Sequence, residues 1–165
     1  LRIEEAEFHM KKRDDLLFLT SPDLGQPFDY SVGLWGSRFF KELKENKRFL
    51  AVRCAECKTV YIPPRQVCGP CFKPMNDWLE VGPMGTVVSY TVLRFAFLDP
   101  ETGQKKPVPY GYAFIRLDGA GTNFQHFIEV PKEGKINIGD RVRPVFEANR
   151  NGNLRDIKHF EIVPV

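Results

Sequence analysis

Between positions 34 and 46 the apolar residues Trp35, Phe39 and Leu43 recur four apart with Phe40 beside them, while Arg38, Lys41, Glu42, Lys44 and Glu45 fill the remaining positions. That spacing puts one apolar stripe on a helix and charges on its back, and such a stripe faces a core more often than a partner. Asn46, followed by Lys47 and Arg48, suits the helix end, because Asn tolerates a left-handed conformation and cations favour the carboxyl end. The pattern then shortens. Residues 49–53 read as a strand leading directly into Cys54, and residues 59–62 as its return before Pro63 and Pro64. Further strands are expected at 85–94, 112–117, 124–130, 141–146 and 156–163, separated by Gly, Pro, Asp and Asn clusters. Asn151-Gly152 predicts a tight hairpin with positive backbone angles, and Asp118-Gly119 with Gly121 predicts another. Five short strands without a helical pattern between them imply a small barrel. Residues 98–109, with Asp99-Pro100, Gly103, Pro107 and Pro109, read as a long polar loop hanging off it.

Residues 1–33 read as an N-terminal arm. A charged cluster (Lys11, Lys12, Arg13, Asp14, Asp15) and the turn formers between Ser21 and Pro27 argue against one continuous element. Leu16, Leu17, Phe18 and Leu19 exceed what a solvated tail needs, so they are expected to pack on the chain's own surface or on a partner. The expected organisation is therefore the arm (1–33), a helix with a small metal module (34–76) and a β domain (77–165). A chain of 165 residues has room for one main core plus one metal-stapled module. Fourteen Phe within a 42% hydrophobic composition supply that core. The net charge of +3 comes from 24 basic and 21 acidic residues interspersed along the chain, a weaker footprint than nucleic-acid binding usually leaves. No stretch approaches the roughly 20 apolar residues of a membrane span and the first residues carry no apolar signal core, so the expected home is the cytoplasm.

In that reducing setting paired CxxC motifs point to metal more than to disulfides. Cys54-Ala55-Glu56-Cys57 and Cys68-Gly69-Pro70-Cys71 use all four cysteines of the chain, ten residues apart. Each knuckle offers two thiolates, and two knuckles complete the tetrahedron of a closed zinc ribbon. Arg53, Lys58 and Arg65 are placed to offset the thiolate charge. One structural zinc is expected, with iron as the main competitor because an all-thiolate tetrahedron suits it too. Two disulfides or a thioredoxin-type redox pair explain the duplicated motif less well, the latter because its usual βαβ pattern is missing. If all four cysteines bind metal, no thiol is left for nucleophilic catalysis.

The remaining candidates for chemistry are sparse. His9, His126 and His159 stand in the arm, a strand and the terminal strand, and His126 alternates with Phe124 and Ile128, which makes it a core or interface histidine before a catalytic one. No GxSxG, GxGxxG or Walker-type loop occurs. The chain does not read as a self-sufficient enzyme. Arg65, Arg94, Lys105 and Lys106 are weak candidates for contact with an anion such as a nucleotide phosphate, against the plainer reading that they are solvated.

The order of helix, cysteine ribbon and barrel resembles the DUF35 family, acyl-CoA-associated proteins with an N-terminal rubredoxin-like zinc ribbon followed by an OB-fold. The residues that carry it are Trp35 to Leu43, Arg53-Cys54-Ala55-Glu56-Cys57, the run from Tyr61 to Cys68, and Gly85-Thr86-Val87-Val88-Ser89-Tyr90-Thr91-Val92. Ile115-Arg116-Leu117-Asp118-Gly119-Ala120 and Ile138-Gly139-Asp140-Arg141-Val142 follow the same pattern. The resemblance implies a mainly β chain: an N-terminal helix, a rubredoxin-like four-cysteine zinc ribbon and a five-stranded OB-fold barrel. It further implies a non-catalytic subunit in a heteromeric complex with a thiolase-superfamily partner (a thiolase, a hydroxymethylglutaryl-CoA synthase or a lipid-transfer-protein-like aldolase). The partner would hold the catalytic cysteine or base for acyl-CoA carbon–carbon bond formation or cleavage, with acyl-CoA at or near the interface, held or channelled there. The alternative is a single-stranded nucleic-acid module, in which Phe95, Phe97 and Phe114 stack on bases.

Overall fold

In the computed structural model, which describes residues 31–98, 104–105, 107–132 and 135–163, a helix α1 (Gly33–Asn46) precedes eight strands. These are β1 (Phe49–Arg53), β2 (Val60–Tyr61), β3 (Asp77–Val81), β4 (Gly85–Leu93), β5 (Tyr110–Leu117), β6 (Phe124–Ile128), β7 (Arg141–Phe146) and β8 (Ile157–Ile162). The expected arm therefore lies almost wholly outside the described residues, and with it Leu16 to Leu19 and His9. Among the described residues no helix is long and apolar enough to cross a membrane.

The apolar stripe of α1 behaves as its spacing predicts, with Phe39 and Leu43 buried and Trp35 and Phe40 half-buried. Its end differs by one residue. Lys47, not Asn46, takes the left-handed conformation (φ 55°), and its N–H closes on Leu43 O at 3.2 Å. Asn46 stays helical and its amide donates to Glu42 Oε2 at 2.8 Å, so the last turn is tied down by a side chain and the reversal passes to the next residue.

Two sheets follow. β2, β1 and β3 form an antiparallel three-stranded sheet in that order, and β4-β5-β6-β8-β7 close into a barrel. β3 went unpredicted because Asp77-Trp78-Leu79-Glu80-Val81 is short and mixed; its register is set by β1, Phe49 to Arg53 pairing with Val81 to Asp77. β6 and β8 run parallel, whereas the other barrel pairs are antiparallel, and β4 meets β7 to shut the barrel. This is the OB-fold arrangement.

Aromatic rings weld ribbon to barrel. Phe49 of β1 packs its ring 5.5 Å from Phe124 of β6 and 6.2 Å from Phe160 of β8, and Phe39 of α1 lies 6.5 Å from Phe124. All four are essentially buried. The β5–β6 turn adds polar stitching: Thr122 Oγ1 accepts from Ile62 N at 2.9 Å and donates to Ile62 O at 3.0 Å, and Gly121 N donates to Val60 O at 2.8 Å. Gly121 lies so close to β2 that a Cβ there would meet Val60 backbone atoms at 3.0 Å. Residues 32–165 accordingly form one compact unit.

The turn predicted at Asn151-Gly152 is looser than expected. Gly152 does take positive φ (85°), but Asn151 does not, so no two-residue hairpin forms. Instead the carboxylate of buried Asp156, expected to open a strand, ends a short 3-10 helix (Leu154–Asp156) and accepts from Asn151 N at 2.7 Å and Gly152 N at 2.8 Å. A carboxylate gathering two backbone N–H groups replaces the turn that the dipeptide alone favours.

Candidate metal centre

Two short knuckles of like geometry carry the cysteines. In the first, Lys58 N donates to Cys54 O at 3.0 Å and Cys54 N to Thr59 O at 3.0 Å; in the second, Phe72 N donates to Cys68 O at 2.9 Å and Cys68 N to Lys73 O at 3.0 Å. The residue after the second cysteine of each knuckle is left-handed: Lys58 at φ 61° and Phe72 at φ 52°. The four sulfurs all lie within 4.8 Å of one another, and Cys57 and Cys68 Sγ are 3.7 Å apart. A tetrahedron built on metal–sulfur bonds of about 2.3 Å has edges of about 3.8 Å, so this donor set fits a zinc-sized ion.

Cys54 and Cys68 are buried, Cys71 is half-buried and Cys57 is exposed. The site sits in a second apolar cluster with Val52, Tyr61 and Met75, flanked by Trp35 and Trp78. The two indoles stack at 6.1 Å, Trp35 Nε1 donates to Met75 O at 3.1 Å, and the Arg38 guanidinium covers Trp78 at 4.4 Å. Helix α1 thus closes the side of the ribbon.

The sulfurs do not share one electrostatic setting. The Thr59 side chain, its Oγ1 3.4 Å from Cys57 Sγ, and the Thr59 backbone lower Cys57 to about 6. Cys68 is lowered chiefly by the Tyr61 hydroxyl at 3.5 Å, and that same contact pushes Tyr61 up to about 12. Cys71 moves the other way, up to about 12, because its hydrogen bond to Cys57 favours its protonated form. A divalent ion replaces such protons, and soft sulfur donors favour zinc or iron over calcium or magnesium.

Of the three cations expected to offset the thiolates, each has another engagement. Arg53 Nε donates to Asp77 Oδ2 at 2.7 Å, Lys58 Nζ to Ala55 O at 2.7 Å, and the Arg65 guanidinium rests 5.4 Å from the centre of the Tyr61 ring. The direct contacts to the sulfurs come from hydroxyl groups, Thr59 beside Cys57 and Tyr61 beside Cys68. Sequence reading missed Thr59 and Tyr61, although their alternation on the return strand, two and four residues past Cys57, carries the signal.

The weak anion candidates are not gathered into one site. Arg65 is exposed on the ribbon and Arg94 and Lys105 on the β4–β5 connection, with no contact among the described residues joining the two places; Lys106 lies outside the described residues. His126 is buried, its Nε2 3.0 Å from Leu154 O and its ring stacked 6.0 Å from Phe124, a core position. A grouping of ligand atoms that sequence reading did not single out, Glu129, His159 and Glu161, also falls within 4.8 Å. There Arg143 Nε already donates to Glu161 Oε1 at 2.5 Å, so a fixed cation occupies one carboxylate.

Comparison with known proteins fits this architecture. Residues 78–147 match the family described as the C-terminal OB-fold domain of ChsH2. Over 110 residues the chain is 30% identical to a DUF35 domain-containing scaffold protein of Methanocaldococcus jannaschii, spanning 66% of this chain and 74% of that protein. The same fold occurs in the Ltp2-ChsH2(DUF35) aldolase, with a TM-score of 0.59, 24% identity, and coverage of 81% of this chain and 98% of that one. A DUF35-family protein of unknown function from Sulfolobus solfataricus gives a TM-score of 0.58 at 23% identity, over 79% of this chain and 87% of the other.

Proposed function

The chain belongs to the DUF35 family, and from that premise we propose that it is a zinc-bearing, non-catalytic scaffold subunit of a thiolase-superfamily enzyme acting on acyl-CoA. One observation carries the reading. All four cysteines of the chain converge on one closed site, which leaves no thiol to act as an acyl-transfer nucleophile. Support comes from the relative named as a scaffold protein and from the neighbour named as an aldolase containing a DUF35 chain.

In this reading Cys54, Cys57, Cys68 and Cys71 hold one zinc ion, which contributes folding energy to the ribbon rather than chemistry. The helix and ribbon (34–76) brace the OB domain (77–165). The partner supplies the catalytic cysteine or base. Arg65, exposed on the ribbon, is the cation left to meet a CoA phosphate near the interface.

Two experiments test this. Co-expression with a thiolase-superfamily protein of the same organism is expected to yield one heteromer on size-exclusion chromatography; separate elution of every such pair, with full activity in the partner alone, rejects the subunit role. Metal analysis is expected to find one zinc per chain, and Cys57→Ser to lose it with local unfolding of the ribbon. Retention of zinc by that variant rejects the four-ligand site. The exposed Phe95, Phe97 and Phe114 keep a nucleic-acid reading in play; it requires single-strand binding that weakens steeply as salt rises.

A further inference from the structure

Thirteen large apolar side chains are exposed among the described residues, and seven of them fall within residues 88–114, the β4–β5 hairpin and its connection. Phe95 and Phe97 stand at the far end of β4, 63% and 51% exposed, with their rings only 4.6 Å apart. Leu98, 62% exposed, pairs with Lys105 in an antiparallel bridge that holds the two limbs of the connection together. Val108 is exposed where the chain returns towards β5, and Phe114 lies on the outer face of β5, opposite Ser89. These side chains have no room inside, because Phe49, Phe124, Phe160 and Ile115 already fill the barrel. Leaving such a group in water costs roughly 25 cal/mol for each Å² of apolar surface, and a concentration of exposed apolar groups on one hairpin marks an interaction surface.

The charges around the patch select the occupant. Arg94 and Lys105 flank it, both exposed and neither ion-paired among the described residues. A second copy docked tip to tip, with the two-fold axis through the Phe95/Phe97 pair, would bring these cations close to their own kind. A nucleic acid would want a track of free cations, yet Arg48, Arg53, Arg141 and Arg143 are all held by acidic partners. Resting on the subunit reading above, we propose that the Phe95/Phe97 tip of the β4–β5 hairpin docks into an apolar pocket, rimmed by carboxylates, on the thiolase-superfamily partner. Two aromatic rings pre-packed on one another make an anchor that loses little freedom on binding.

The test uses the full chain and the thiolase-superfamily protein that co-purifies with it, purified separately and titrated, with zinc content and melting temperature as the check on folding. Phe95→Ser/Phe97→Ser is expected to weaken binding by about 100-fold. Arg94→Glu/Lys105→Glu, which leaves the rings in place, is expected to weaken it by about 10-fold and to flatten its salt dependence. Ile138→Ser, at a 71% exposed residue outside the hairpin, serves as the unaffected control. Wild-type affinity in both hairpin variants overturns the docking site while leaving the subunit role intact. No complex with the wild-type chain overturns both. Loss of self-association, or of single-strand binding, in the hairpin variants without loss of partner binding assigns the patch to a second copy or to nucleic acid and rejects the proposal.

Discussion

At the scale of single residues, the cysteine quartet depends on neighbours that are not ligands. Tyr61 is one strand position whose hydroxyl, 3.5 Å from Cys68 Sγ, favours the thiolate, while its ring supports Arg65. Hydrogen bonds to a ligand atom typically tune metal affinity by about 10–100-fold. Tyr61→Phe, which keeps the ring and removes the hydroxyl, is therefore expected to weaken zinc binding within that range in a competition with a chromophoric chelator, without unfolding the barrel. Equal affinity would show the hydroxyl to be a bystander. Phe72 illustrates the same dependence on context: the knuckle needs a left-handed residue after its second cysteine, and the chain places there an aromatic that is 81% exposed.

At the scale of elements, backbone demand overrides dipeptide preference. The β7–β8 connection contains Asn151-Gly152, yet its geometry is set by Asp156, which is buried and accepts from both of those N–H groups. Asp156→Ala leaves two part-buried N–H donors without their acceptor and empties a buried position, so a loss of about 1–3 kcal/mol in unfolding free energy is expected by denaturant titration. A change confined to a few tenths would mean that solvent replaces the carboxylate. The hairpin β4–β5 shows the opposite balance, since its close contact with β6 rests on a residue without a side chain: a Cβ on Gly111 would stand 2.6 Å from Ile128 Cγ2.

At the scale of the molecule, exposed ion pairs bridge separate elements and give stability one direction in acid. Arg141 of β7 holds Asp118, in the turn after β5, through two hydrogen bonds of 2.8 and 2.5 Å, and Thr86 of β4 through one of 2.9 Å. The Arg141 guanidinium keeps the Asp118 carboxyl below its usual range, as Arg53 does for Asp77; Glu42 is lowered first by Asn46 and then by Arg48. A carboxyl whose folded pKa is depressed adds stability that is fully present above its unfolded pKa, near 4, and is lost as pH falls through the folded value. Melting temperature is expected to fall below about pH 4, and Asp118→Asn to flatten that limb slightly, since solvent screens so exposed a pair. An unchanged acid limb in the variant would assign the loss to the other carboxylates.

Much of this was already written in the order of residues. The four-apart stripe placed Phe39 and Leu43 inward, the paired CxxC motifs brought four sulfurs together, and the alternating runs gave the five barrel strands, because each signal is local and repeats along the chain. Partners far apart in sequence are a different matter. That Phe49 of the ribbon packs against Phe124 and Phe160, that β3 joins β1, that Arg53 turns to Asp77 rather than to the thiolates, and that Asp156 reshapes a turn all depend on which surfaces meet once the barrel closes. That Phe95 and Phe97 pack their rings 4.6 Å apart belongs to that second group, since whether two aromatics of one run meet depends on how the chain leaves the strand.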